Sequence, residues 1–332
     1  MSSRRSSGLT NYAVRRAVQA VPLILSVLAL NFMLIQLAPG NPIAALTGDF
    51  PATPEYVERM KENLGLNEPP WKQFVLYIKA LAQGDFGYSF ANQQPVLSLI
   101  ADRALNTLAL MGVAMIFAIS VGIPLGLLSA RKPGSTVDNI TSSIGLAGYA
   151  MPVFWLGQLL IVAFALKLAI LPAGGMTSLR EPPDGFERVT EFVKHLILPA
   201  LTLSFRYIAL YVRITRASMM ETLNADYIIT ARVKGLSRHV VETRHALRNA
   251  MLPIVTVVGY ELGFIVSGSV LVETVFSWPG IGSLLFSSIT ARDTPVILGI
   301  FVAISAVVIV VNLLTDVLYA WLDPRIRYGK GS

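Results

Sequence analysis

Two ionisable residues stand inside long apolar runs, where a charge is costly and a functional role is the default expectation. Arg206 lies ten residues into the run Leu196–Ala217, about 15 Å along a helix axis. Glu261 lies near the middle of Leu252–Val272. A guanidinium fork suits a carboxylate, and a carboxylate suits an ammonium. The two therefore read as groups lining a pathway, each holding one charged end of a passing solute. A buried Arg–Glu pair, or groups solvated by a pore, would use the same residue types. Arg213 shares nearly the same helical face as Arg206 but sits near the end of its run, where it can reach water. Asp316, late in the last run, reads as structural, with Tyr319 or a basic loop residue as partner. The histidines His195, His239 and His245 form no H-E-x-x-H, so metal-hydrolase chemistry has no support. His245 is expected to make a structural hydrogen bond. The absence of cysteine excludes disulfides, thiolate metal sites and cysteine nucleophiles. Gly329-Lys330 lacks both the upstream glycine and the following hydroxyl residue of a phosphate-binding loop. No cofactor and no metal are expected in this chain.

The elements that must position these residues are apolar. Of 332 residues, 54% are hydrophobic and 14% charged, with mean hydropathy +0.60. A soluble domain carries about a quarter charged residues. Six runs meet the roughly 20 residues a helix needs to cross a bilayer: Ala17–Ala38, Leu105–Ala130, Ile140–Leu171, Leu196–Ala217, Leu252–Val272 and Pro295–Leu322. The first is too long for a signal-peptide core and has no small-residue cleavage site after it, so it reads as an uncleaved helix. Between the runs lies one large loop, Pro39–Asp102, whose segment Trp71–Leu81 can form an amphipathic helix on the membrane. Gly122-x-x-x-Gly126 and Gly259-x-x-x-Gly263 have the spacing of close helix packing.

Charge fixes the expected topology. The N-terminal tail carries Arg4, Arg5, Arg15 and Arg16 and no acid, while Pro39–Asp102 has four basic residues against seven acidic. Ser218–Met251 has five basic against three acidic, and Glu273–Thr294 has one against two. Basic excess and deficit alternate at every crossing, which puts both termini in the cytoplasm. The net charge of +7 resides in these short segments, so a nucleic-acid partner is not expected. The expected organisation is a cytoplasmic tail 1–16, a first span 17–38, an external loop 39–104, a five-helix core 105–322 and a tail 323–332.

Ser218–Met251 is too polar to span and too rich in Ala, Leu, Val, Arg and Glu for a loose tether. Asn224 or Asp226 can cap a helix over Tyr227–Lys234, and Gly235 can end it. A second helix over Arg238–Asn249 leads to Pro253. A helical, basic hairpin between spans fits a docking element for another protein; a merely solvated positive-inside loop fits the same composition.

Asp226–Leu236 followed by His245–Thr256 resembles the cytoplasmic coupling segment of binding-protein-dependent ABC importers. More narrowly it is similar to the permease group for dipeptides, oligopeptides, nickel and glutathione. Ile229-Thr230-Ala231 replaces the general Glu-Ala-Ala, and Pro253 falls 18 residues after Gly235, as in that group. The resemblance covers nearly the whole chain: Leu37–Pro42, Leu64–Leu66 with Glu68-Pro69, Gly84–Ser89, Leu198–Leu201, Ser267–Val270, Val272–Gly282, then Asn312, Asp316, Tyr319 and Asp323–Arg325.

The resemblance implies an all-α membrane protein: the type I ABC importer permease fold, with six transmembrane helices and a cytoplasmic coupling helix. It implies a non-enzymatic subunit of the cytoplasmic (inner) membrane, forming half a translocation path. The implied partners are a second homologous permease, two cytoplasmic ATPase subunits that hold the ATP and Mg, and an external substrate-binding protein. Asp226, Tyr227, Thr230, Ala231, Lys234, Gly235 and Leu236 are the implied coupling residues. Ala231 would permit close approach to the ATPase, and Gly235 a sharp exit. A proton-coupled transporter using Glu261 and Asp316 would be expected to show internal repeats, and none is evident. An intramembrane enzyme would need a nucleophile–base or metal pair at matching depth, and none is found. Dipeptide, longer peptide, glutathione and nickel chelate all remain open as solutes.

Overall fold

The computed structural model describes residues 3–37, 53–64, 68–89, 91–177 and 185–322, with side chains at all of these except 3–17, 20, 35, 60, 63–64, 262–268 and 316–322. Ala38–Pro42, Gly65-Leu66, the tail 323–332 and the side chains of Arg4, Arg5, Arg15, Arg16, Gly263, Asp316 and Tyr319 lie outside the described residues.

The helices are α1 (Ser3–Leu37), α2 (Pro54–Leu64), α3 (Pro70–Ala82), α4 (Val96–Arg131), α5 (Thr136–Ala150), α6 (Val153–Leu160, continued by a π-helical turn Ile161–Lys167), α7 (Phe186–Leu223), α8 (Asp226–Val233), α9 (Arg238–Val240, continued by a π-helical turn Val241–Ala246), α10 (Leu247–Val275), α11 (Ile281–Thr290) and α12 (Thr294–Leu322). The fold is mainly helical. One departure from the all-α expectation is a two-residue antiparallel ladder, β1 (Tyr88–Ser89) with β2 (Gln94–Pro95).

Among the described residues, three helices are long and apolar enough to cross a membrane: α4, α7 and α12 over Thr294–Thr315. The predicted third span is not one rod. α5 and α6 meet at 106°, and the pair counts as a fourth candidate span only if taken together. At the break, Pro152 lacks an N–H and disfavours helical backbone at Met151, which is extended (φ −80°, ψ 129°). Helices α1 and α10 cover the other two predicted runs. α7 starts at Phe186, ten residues before its predicted start at Leu196. Polar first turns such as Glu187 at its beginning carry no hydropathy signal.

The chain divides into two compact units, residues 1–107 with 279–332, and residues 108–278. In the first, Val96, Leu99, Ile100, Leu284, Val296 and Ile300 form a buried cluster. Ser89 Oγ donates to Asp293 Oδ2 (2.5 Å), with both residues buried. Asn106 Nδ2 donates to the Pro279 carbonyl (2.8 Å), and Thr107 Oγ1 accepts from Ile281 N–H (2.8 Å). The bonds from Asn106 and to Thr107 fasten the start of α11, a helix inside the segment Glu273–Thr294 that hydropathy assigns to a loop. The segment predicted as amphipathic is α3, and Phe74 packs on Phe32 of α1 with ring centroids 5.4 Å apart.

In the second unit α4 and α7 approach closely at the predicted small-residue pair. A Cβ on Gly122 would lie 2.8 Å from Tyr211 Cβ, and one on Gly126 would lie 2.6 Å from Thr215 Cβ. Neither side chain can be larger without separating the helices.

Candidate functional site

The segment between α7 and α10 belongs to the second unit. α8 is helical over Asp226–Val233, one residue earlier at each end than the spacing predicts. Neither Asn224 nor Asp226 is its cap: Ala225 holds that position with extended backbone and no side-chain bond. Asp226 instead begins the first turn, where a carboxylate meets the positive end of the helix dipole. The far end is a Schellman turn. Gly235 N–H donates to the Arg232 carbonyl (3.0 Å) and Leu236 N–H to that of Ala231 (3.4 Å). Gly235 sits at φ +78°, and a Cβ there would touch nothing within 4 Å. Glycine is therefore needed for the backbone angle, not for space.

The helix is two-faced. Ile228 and Ala231 point inward and join Ala130, Met219, Val241, Ala246 and Ala250 in a buried cluster. Ala231 is 7% exposed, so its small side chain serves close approach within this chain. Asp226, Tyr227, Thr230, Lys234, Gly235 and Leu236 are exposed, as are Ile229, Arg232 and Val233. Val233 is 82% exposed and lies four residues after Ile229, on the same helical face. Neither is marked by sequence alone, since Ser218–Met251 holds other apolar residues such as Ile228 and Val241 that turn inward.

The mount is rigid. Asn249 Nδ2 donates to Tyr227 Oη (2.7 Å), tying α8 to α10. The π-helical turn Val241–Ala246 carries an i,i+5 spacing, which places Val241 and Ala246 together in the cluster. It also buries Glu242, whose Oε2 lies 2.7 Å from Arg131 Nε and whose Oε1 accepts from Arg238 Nε at 2.6 Å. Arg238 Nη2 donates to the Arg131 carbonyl (3.0 Å). Nearby, Arg216 Nε and Nη2 donate to Asp138 Oδ1 (2.5 Å) and Oδ2 (2.8 Å), and Gly134 N–H donates to Oδ2 (2.8 Å). The Arg216 bonds first, then that from Gly134, lower the Asp138 pKa to about 2. His245 is half-buried and, among the described residues, makes no side-chain hydrogen bond of the kind expected. His195 is buried instead, with Nδ1 3.0 Å from the Gly174 carbonyl.

Of the intramembrane pair, Arg206 is exposed and Glu261 half-buried. Among the described residues no ion pair joins them. The Arg206 guanidinium lies over the Tyr149 ring at 5.9 Å, and that of Arg213 over the same ring at 5.4 Å. Tyr149 thus receives two cations from α7, and at exposed residues such a contact contributes about 0.5–1 kcal/mol.

Comparison with known proteins places these features. Residues 122–328 match the family "Binding-protein-dependent transport system inner membrane component", and residues 9–111 match its N-terminal companion family. The chain is 39% identical to the dipeptide transport system permease protein DppB of Escherichia coli K12, covering 97% of this chain and 100% of that one. It is 40% identical to DppB of Alkalihalophilus pseudofirmus, over 96% of this chain and 99% of that one. To the oligopeptide permease AppB of Bacillus subtilis it is 39% identical, with coverage of 96% and 99%. Among solved structures, an inward-facing MetNI methionine ABC transporter aligns with TM-score 0.52 at 16% identity, covering 68% of this chain and 97% of that one. That likeness speaks to the fold alone. The chain belongs to the inner-membrane components of binding-protein-dependent transport systems.

Proposed function

We propose that this chain is the permease subunit of an ATP-driven peptide importer, and that α8 is its coupling helix. The observation that carries the reading is the division of α8 into a buried face fixed on a cluster of this chain and an exposed face with two solvent-facing apolar residues. A helix so mounted can pass a push from a partner into α7 and α10 without yielding. Relatives at about 40% identity over nearly full length are named dipeptide and oligopeptide permeases, which supports peptides as the solute class. In this reading the chain crosses the membrane six times, with both termini and α8 in the cytoplasm. It pairs with a second homologous permease and forms half the path. Two ATPase subunits hold ATP and Mg, and an external binding protein delivers the solute. This chain itself holds no cofactor and catalyses no reaction. Arg206 and Glu261 line the path.

The test has two parts. The chain is expressed with the permease, ATPase and binding-protein genes beside it, and uptake of a labelled dipeptide is measured in cells lacking their own peptide importers. The membrane complex is then purified by a tag on this chain. ATP-dependent uptake and retained ATPase subunits are expected. A complex without an ATPase, or uptake that persists without ATP, refutes the reading.

A further inference from the structure

The Arg131–Glu242–Arg238 triad stands beside the C-terminal end of α8, where Arg232 shares a cavity with it. It is the shared wall of two cavities in the second unit, of about 570 Å³ and 380 Å³. The larger opens between the α4–α5 turn and α9 and takes in Lys132 and His239. The smaller adds Arg232.

Glu242 is 5% exposed, and each of its two oxygens already faces one guanidinium. The larger cavity therefore holds three permanent cations against one carboxylate that is fully engaged. A guanidinium carries five N–H donors. Arg238 uses two of them on Glu242 and the Arg131 carbonyl. The remaining donors, with the exposed ammonium of Lys132, suit an oxyanion.

The rim of the same cavity is apolar. Leu128 and Val137 line it, and both are exposed. Leu128 sits on the last turn of α4, a helix apolar enough to span a bilayer. A cationic floor beside exposed aliphatic side chains at the end of a span matches a phospholipid, phosphate inward and acyl chain along the rim. A carboxylate on a soluble partner would match the charge but leave the aliphatic rim in water.

We propose that this cavity is a headgroup site for an anionic phospholipid of the phosphatidylglycerol type. The site rests on α4 crossing the bilayer and not on the coupling role of α8. It joins the α4–α5 turn to α9, so an occupant steadies the mount behind α8.

The test uses the intact, detergent-purified complex and native mass spectrometry, with phosphatidylglycerol or phosphatidylcholine of identical chains as probes. Phosphatidylglycerol is expected to stay bound to the wild-type complex while phosphatidylcholine is lost. Lys132→Gln should weaken that binding about fivefold and Lys132→Glu about 25-fold, since each unit of charge near a headgroup counts similarly. Lys132 is exposed, so both variants leave buried Glu242 with its two arginine partners, and fold. Equal retention of the two lipids, or binding indifferent to both substitutions, overturns the proposal. Displacement of phosphatidylglycerol by a millimolar excess of inorganic phosphate also overturns it, by showing a small-anion site with no use for the rim.

Discussion

Replacing Val233 by aspartate separates docking from folding. The side chain is 82% exposed, so the isolated chain gains little from it and loses little without it. If α8 enters a groove on an ATPase, that side chain goes from water to contact. Burying a valine contributes about 1.5–3 kcal/mol. Removing four-fifths of that gain costs about 2 kcal/mol, or roughly thirtyfold in affinity for the ATPase. A desolvated carboxylate adds to the loss. The assay is titration of purified ATPase onto permease in nanodiscs, read by fluorescence anisotropy and by stimulated ATP hydrolysis. Val233→Asp should reach the membrane in normal amount, bind ATPase at least thirtyfold more weakly and transport little. Ala231→Glu is the contrast. Its side chain would enter the cluster around Met219, Ile228 and Ala246, so the expected outcome is less folded permease rather than cleanly uncoupled permease. Val233→Asp with unchanged ATPase affinity at normal abundance refutes the docking face. Ala231→Glu at full abundance refutes the inward placement.

Gly126→Leu should separate α4 from α7, since even a Cβ would stand 2.6 Å from Thr215 Cβ; overpacking of this kind costs about 1–3 kcal/mol, seen as a lower melting temperature in detergent. Asp138 has a folded pKa of about 2 against an ordinary 3.8, so its contribution is fully present above pH 4 and is lost as pH falls through about 2. Asp138→Asn should destabilise by about 1–2 kcal/mol at pH 7, Arg216 being 31% exposed and partly screened; the gap should narrow in melts run down to pH 3, and a gap independent of pH excludes the ion pair as its cause. Arg206→Ala and Glu261→Gln are each expected to change uptake rate or solute preference at normal abundance with binding-protein capture unaltered; unchanged uptake in both removes them from the path. Cysteines placed at Ala91 and Ser237 should label from opposite sides of the membrane. Both positions are exposed, unlike buried Ser89.

The helical frame was legible because apolar length is a strong local signal. α4, α7 and α12 fall where composition put them. Although Pro124 and Pro199 stand inside unbroken helices, the break at Pro152 had a local signal, since proline disfavours helix at the residue before it. Hydropathy averaged over a whole run hides that. α11 escaped because a ten-residue helix of mixed apolar and serine residues resembles neither a span nor a charged surface helix. At the candidate site, the position and end of α8 followed from Gly235, but its orientation did not. Which of Ala231 and Val233 faces inward depends on α4 and on the π-helical turn after Val240, neither of which a local reading can place. Arg238 and Glu242 are four residues apart and could be paired from sequence. Arg131 stands 107 residues from Arg238, and no local pattern joins them.

α7 has 38 residues, so it is a lever about 57 Å long. Its last residue, Leu223, is separated from the start of α8 by two residues. A tilt of about 5° at that end would move Pro199, about 36 Å along the axis, through roughly 3 Å. The arm is stiffest where Gly122 and Gly126 let α4 lie against it, beside Tyr211 and Thr215. It is most compliant at Pro199, which cannot donate the helical hydrogen bond expected at its position. Arg206 lies between these two places. A force applied at α8 therefore turns the stretch bearing Arg206 as part of the stiff arm, and the bending falls beyond it, at Pro199.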